Sequence, residues 1–207
     1  MMRKISYVFV VLALLVIALP AAANNLTPGH NGAPDILAAP AGFNVIANTG
    51  IQNYTTGDAF GQYVMQVWKD TSTGFLDFII QFNNNASPVT GGAIFTVSAA
   101  NFSGFTTDVG YIPVGGVAPG NVALTNSGTV NFNFTGDGLL GGNVSQVLAV
   151  YTNAYFFKPG TLSFIDSGVD PHAGFAPQAG VPEPTSLMLL GTGLLGLGNL
   201  VRRKLMS

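Results

Sequence analysis

Apolar and polar side chains alternate with a period of two through the middle of the chain. In "TVNFNF", Val130, Phe132 and Phe134 fall on one side and Asn131 and Asn133 on the other. That is the pattern of a strand with one face buried. "GQYVMQVWK" likewise sends Tyr63, Met65 and Val67 to one face and Val64, Gln66 and Trp68 to the other. "GFLDFIIQF" follows after "DTSTG", which predicts a hairpin over residues 62–82. Shorter strand candidates are "FNVIA" (43–47), "GAIFTVS" (92–98), "QVLAVYT" (146–152) and "TLSFID" (161–166). Loop-like stretches such as "NNNASPVTGG", "VGGVAPGN" and "TGDGLLGGN" separate them. Short strands at this spacing predict an all-β fold, a single antiparallel β-sandwich domain over residues 42–171. Residues 24–41 read as a flexible leader and residues 172–181 as a linker. No internal repeat is visible.

The two ends carry a different pattern, an apolar run without charge. Arg3 and Lys4 precede the uncharged stretch Ile5 to Leu19; Pro20 breaks it, and Ala21-Ala22-Ala23 follows. This is the layout of a secretory signal peptide over residues 1–23, with Ala21 and Ala23 at the positions a signal peptidase reads. Near the other end, residues 185–201 hold no charge. As a helix rising about 1.5 Å per residue they reach roughly 25 Å, the lower limit for crossing a hydrocarbon core of about 30 Å. Arg202, Arg203 and Lys204 follow at once, a basic flank that stays on the cytoplasmic side. Both ends predict one topology, with the middle exported and residues 185–201 a transmembrane helix. Pro182 and Pro184 fix their own φ and bias Val181 and Glu183 toward extended conformations. Glu183, the chain's single glutamate, is thereby held in a stiff tripeptide outside the membrane. A processing enzyme can bind such a segment as a strand. An ordinary linker before an ordinary anchor has the same composition.

Taken together, "VPEPTSLMLLGTGLLGLGNLVRRKL" resembles the PEP-CTERM sorting signal of Gram-negative bacteria. The matching features are Pro182-Glu183-Pro184, the Gly/Leu-rich apolar stretch and the terminal Arg202-Arg203 cluster. The resemblance covers Val181 to Met206, which assigns residues 182–207 as a sorting signal, and says nothing of the chemistry of the middle. It implies recognition by an exosortase, a membrane-embedded cysteine protease or transpeptidase. That enzyme would cut at or near the motif and deliver the cargo to the cell surface or an exopolysaccharide matrix.

Charge narrows what the cargo can be. Between the two ends the bases are Lys69 and Lys158, against eight aspartates, a net −6 with histidines neutral. Nucleic-acid binding needs a basic footprint, which is missing here. Glu, Lys and Arg, the formers of exposed helix faces, are nearly absent, while Val, Phe, Thr, Asn and Gly abound, supporting strands and turns. The chain has no cysteine, which excludes a disulfide scaffold, a thiol nucleophile and a cysteine-ligated zinc site.

Candidate chemistry is sparse. Gly136, Gly138 and Gly141 form a G-x-G-x-x-G after a predicted strand, but no helix-rich unit surrounds them, and a glycine-rich turn accounts for them. "IDSGVDPHAG" gathers Asp166, Asp170 and His172, which are possible metal ligands or ordinary turn residues. No G-x-S-x-G surrounds a serine. A hydrolase would need two of the aspartates to face each other in a cleft. Trp68 and Tyr63, with Tyr54 or Tyr111, could stack on sugar rings if exposed; otherwise they are core. The expectation is therefore an exported, non-catalytic surface or matrix protein with no catalytic residues, metal or cofactor. Its partners are a signal peptidase, an exosortase, the inner membrane and, on a carbohydrate-binding alternative, exopolysaccharide. A weak hydrolase is a third reading.

Overall fold

In the computed structural model, residues 25–87 and 91–180 are described. The expected signal peptide with Ala21 and Ala23, the tripeptide Pro182-Glu183-Pro184, the membrane segment 185–201 and the bases Arg202, Arg203 and Lys204 lie outside them. The alternation is realised as fourteen strands: β1 (Asn25–Leu26), β2 (His30–Gly32), β3 (Asp35–Ile36), β4 (Phe43–Asn48), β5 (Gln52–Thr56), β6 (Ala59–Asp70), β7 (Leu76–Asn84), β8 (Thr96–Ala99), β9 (Thr107–Ile112), β10 (Asn121–Leu124), β11 (Val130–Asn133), β12 (Val147–Thr152), β13 (Phe156–Ile165) and β14 (Val169–Gln178). No helix occurs among the described residues, so none there is long and apolar enough to cross a membrane.

The strands form two sheets. In the eight-stranded sheet the order is β9-β12-β7-β6, with β1 and β3 sharing the free edge of β9 and β4 and β5 sharing that of β6. The six-stranded sheet runs β14-β13-β8-β11-β10-β2. Pairing is antiparallel except for the short parallel contact of β3 with β9. There a Cβ on Gly110 would lie 2.0 Å from the Asp35 carbonyl oxygen, so only glycine lets the two backbones approach.

The expected hairpin is present: β6 and β7 pair from Gly61–Asn84 to Lys69–Leu76. Tyr63, Met65 and Val67 face the second sheet and are buried, as are Phe78, Ile80 and Phe82 from β7. The opposing sheet contributes Val97, Val122, Phe132, Leu162 and Phe164. Tyr54 stacks on Phe164 at 4.0 Å between ring centroids, and Phe82 meets Phe134 and Phe164 edge-on at 5.6 and 5.3 Å. Such aromatic pairs add about 0.5–1.5 kcal/mol each beyond the area they bury.

β7 is buried on both faces, because the chain crosses the outside of its sheet. Ile36 ends β3 at one edge and Phe43 begins β4 at the other. Five inter-strand gaps of about 4.8 Å make roughly 24 Å. Seven residue steps of at most about 3.5 Å span the same distance, so the segment crosses nearly straight. Leu37 packs in a cluster with Ile79, Ile112 and Ala149, the Tyr151 hydroxyl donates to the Ala38 carbonyl at 2.7 Å, and Thr71 N–H donates to the Gly42 carbonyl at 3.0 Å. The small residues of "AAPAG" let this strap lie close to the sheet.

Two segments expected to be flexible are paired. Within residues 24–41, β1 and β3 join the eight-stranded sheet and β2 the six-stranded one. Strands of two or three residues are too short to show a period, and their pairing depends on edges built elsewhere. Within residues 172–181, β14 continues to Gln178 and pairs with β13 along its full length. β14 contains Pro171 and Pro177; it is an edge strand, where a missing donor can face outward.

Candidate functional site

Tyr63 and Trp68 lie on opposite faces of β6, so they do not form one stacking platform. Tyr63 is buried; its hydroxyl donates to the Ala173 carbonyl at 2.9 Å and its ring lies against Phe164 and His172. Its faces are closed to a sugar, and Tyr54 is buried in the same core. Trp68 is half-buried on the outer face. Phe43 stacks on it at 3.9 Å with the planes 9° apart, and its indole N–H donates to Gln66 Oε1 at 2.8 Å. It borders a shallow groove of about 160 Å³ together with Val64, Gln66, Ile79, Gln81 and Val147.

Sequence reasoning missed a row of ionisable groups on the same outer face. Asp108 on β9 is in register with Tyr151 on β12, Tyr151 with Asp77 on β7, and Asp77 with Trp68 on β6. Asp77 is 5% exposed. Burial, and secondarily the charge of Asp70, pushes its carboxyl up to about 7. Asp108 is pushed up to about 6 by burial, by a hydrogen bond with the Asp35 carboxyl and by the Asp35 charge. Asp108 Oδ1 is buried without a hydrogen-bond partner. Burial, then the charges of Asp77, Asp108 and Asp70, also raises the Tyr151 phenol. Tyr151 stands in register between Asp77 and Asp108; its ring packs against the Leu37 cluster and its hydroxyl donates to Ala38, while Asp35 adjoins Asp108. What this arrangement does chemically is hold protons near neutral pH. The sequence signal was slight: an aspartate inside the apolar run "FLDFII".

The Asp166, Asp170 and His172 group separates into two local roles. Asp166 N–H donates to the Gly168 carbonyl in the β13–β14 turn. Asp170 Oδ2 pairs with His172 Nε2 and accepts from Thr55 N–H at 3.0 Å, tying β14 to β5 across the open side of the sandwich. Among the described residues no three His, Cys, Asp or Glu side chains converge as metal ligands. Gly136 and Gly138 have φ of 69° and 72°, the left-handed turn conformation, in a loop bridged to Ile94 through Leu139. The glycine-rich motif is a turn between strands.

The remaining candidate is where the chain leaves the domain. β14 ends at Gln178, in register with Phe156 at the start of β13, and a Cβ on Gly180 would lie 3.3 Å from the Phe156 ring. The next residues are Val181 and Pro182-Glu183-Pro184. Residues 180–204 match the family model of the PEP-CTERM protein-sorting motif. No curated protein and no solved structure matches the chain. The PEP-CTERM match begins two residues after β14 ends, so the whole two-sheet body precedes it. The motif implies an exosortase as partner, with export and transient membrane anchoring before processing.

Proposed function

We propose that this chain is an exported, non-catalytic surface or extracellular-matrix protein in which the β-sandwich is the cargo. A signal peptide over residues 1–23 starts export, and residues 185–201 hold the chain briefly in the inner membrane. Exosortase binds the extended Pro182-Glu183-Pro184 segment and cuts there, releasing the sandwich to the surface or matrix. The single observation that carries this reading is the PEP-CTERM match at residues 180–204, directly after the last strand. A non-catalytic role is supported by how the reactive side chains are engaged. Asp170 and His172 clasp two strands, Asp77 is buried, and Asp108 is hydrogen-bonded to Asp35.

Glu183→Ala tests the processing contact. The variant is expected to stay in the membrane fraction at precursor size. Maturation indistinguishable from that of the unaltered chain would overturn the exosortase reading.

A further inference from the structure

The two ends of the sandwich differ in a way that bears on anchoring. Both lysines of the described residues lie at the end where β14 exits. Lys158 is two residues from Phe156 on β13; Lys69 ends the run of β6 paired with β7, beside the turn at Gly74. A Cβ on Gly74 would lie 3.8 Å from the Tyr155 ring and 4.0 Å from Lys69 Cε, which places these side chains together. Phe75 packs on Tyr155 at 5.0 Å between centroids. Tyr155 and Phe156 are 59% and 57% exposed. Of the aspartates toward this end, Asp70 turns its carboxylate into its own loop, accepting from Ser72 and Thr73, Asp77 is buried and Asp108 is partly buried on the outer face. The opposite end carries Asp58, Asp137, Asp166 and Asp170 and neither lysine, although Phe60 and Phe95 are exposed there.

We propose that the exit end docks on the headgroup layer of the membrane while the chain is anchored, through Tyr155, Phe156 and Phe75 with Lys69 and Lys158. Aromatic rings favour the membrane–water interface, and lysines there meet anionic lipid phosphates. This rests on the reading of residues 185–201 as the anchor. The tether is short: five residues from Gly180 to Thr185 reach at most about 18 Å, against a headgroup layer roughly 5–8 Å thick. The consequence is positional. Docking holds the sorting tripeptide at the depth of a membrane-embedded peptidase instead of letting it swing on a free linker.

The chain has no cysteine, so spin labels can be placed on the full-length protein through Tyr155→Cys and, at the opposite end, Val169→Cys. In phosphatidylethanolamine–phosphatidylglycerol vesicles, the label at position 155 is expected to collide several-fold less with a water-soluble nickel complex than the label at 169. Adding Phe156→Ser and Lys158→Glu, both at exposed positions, should bring the two labels level while the protein still pellets with the vesicles. Equal nickel accessibility at 155 and 169 in vesicle-bound protein without those two changes overturns docking alone. A chain that does not pellet with vesicles overturns both docking and the anchor.

Discussion

The inner face of the eight-stranded sheet is mostly apolar, its buried polar side chains being the neutral Thr56, Asn84, Thr107 and Thr152, whereas its outer face carries the ionisable Asp77, Tyr151 and Asp108. Both faces of β7 are buried, yet by different means. Inside, Phe78, Ile80 and Phe82 meet a second sheet. Outside, Ile79 packs with Leu37 of the crossing chain, Asp77 is buried, and Gln81 borders the groove at Trp68. The inner face is therefore held by packing and should respond to lost volume. The outer face is held by packing together with protonation and should respond to pH.

Substitutions on the two faces should separate accordingly. Phe164 touches Tyr54, Tyr63, Phe82 and His172 at ring distances of 4.0 to 5.9 Å. Phe164→Ala should cost about 3–5 kcal/mol at every pH, read by denaturant unfolding. The next largest effect is at Asp77. Its carboxyl stays protonated in the folded protein up to about 7, while the unfolded chain ionises it near 4. Across that window the folded state holds the extra proton, so stability falls as pH rises from about 4 to about 7. Asp77→Asn should flatten the slope and leave the protein on the order of 2 kcal/mol more stable above neutral pH, after allowing for partial solvation. Tyr151→Phe removes the donor to Ala38 and should cost about 1 kcal/mol, with faster hydrogen exchange at Leu37 N–H, which donates to the Tyr111 carbonyl. The smallest effect belongs to Phe43→Ala at the strap's end: a red shift of Trp68 fluorescence as its stacking partner leaves, with under about 1 kcal/mol lost. Equal pH slopes in Asp77→Asn and the unaltered chain would erase the distinction between the faces.

How much of this was legible depends on which physical signal each part leaves. The β6–β7 hairpin was readable because alternation over nine residues fixes which side chains face inward, and Tyr63 and Trp68 fell on the two faces so assigned. β1, β2 and β3 were not, since two or three residues carry no period. β14 was concealed by Pro171 and Pro177, whose tolerance comes from an edge position that only the finished sheet defines. The Asp108–Tyr151–Asp77 row was hidden for a related reason: its members come from three strands, and register decides that they meet. The sorting segment was the most legible part of all. Its signals, two prolines around a glutamate, an uncharged run and a basic cluster, are local and contiguous.

The sandwich and the tail thus answer to different tests, and the tail carries the functional claim. Mass spectrometry of the protein recovered outside the inner membrane addresses it most directly. The account predicts a mature chain whose C-terminus falls at or near Pro182-Glu183-Pro184, with no peptide from residues 187–204. Recovery of external protein still bearing Arg202 and Arg203 would contradict it.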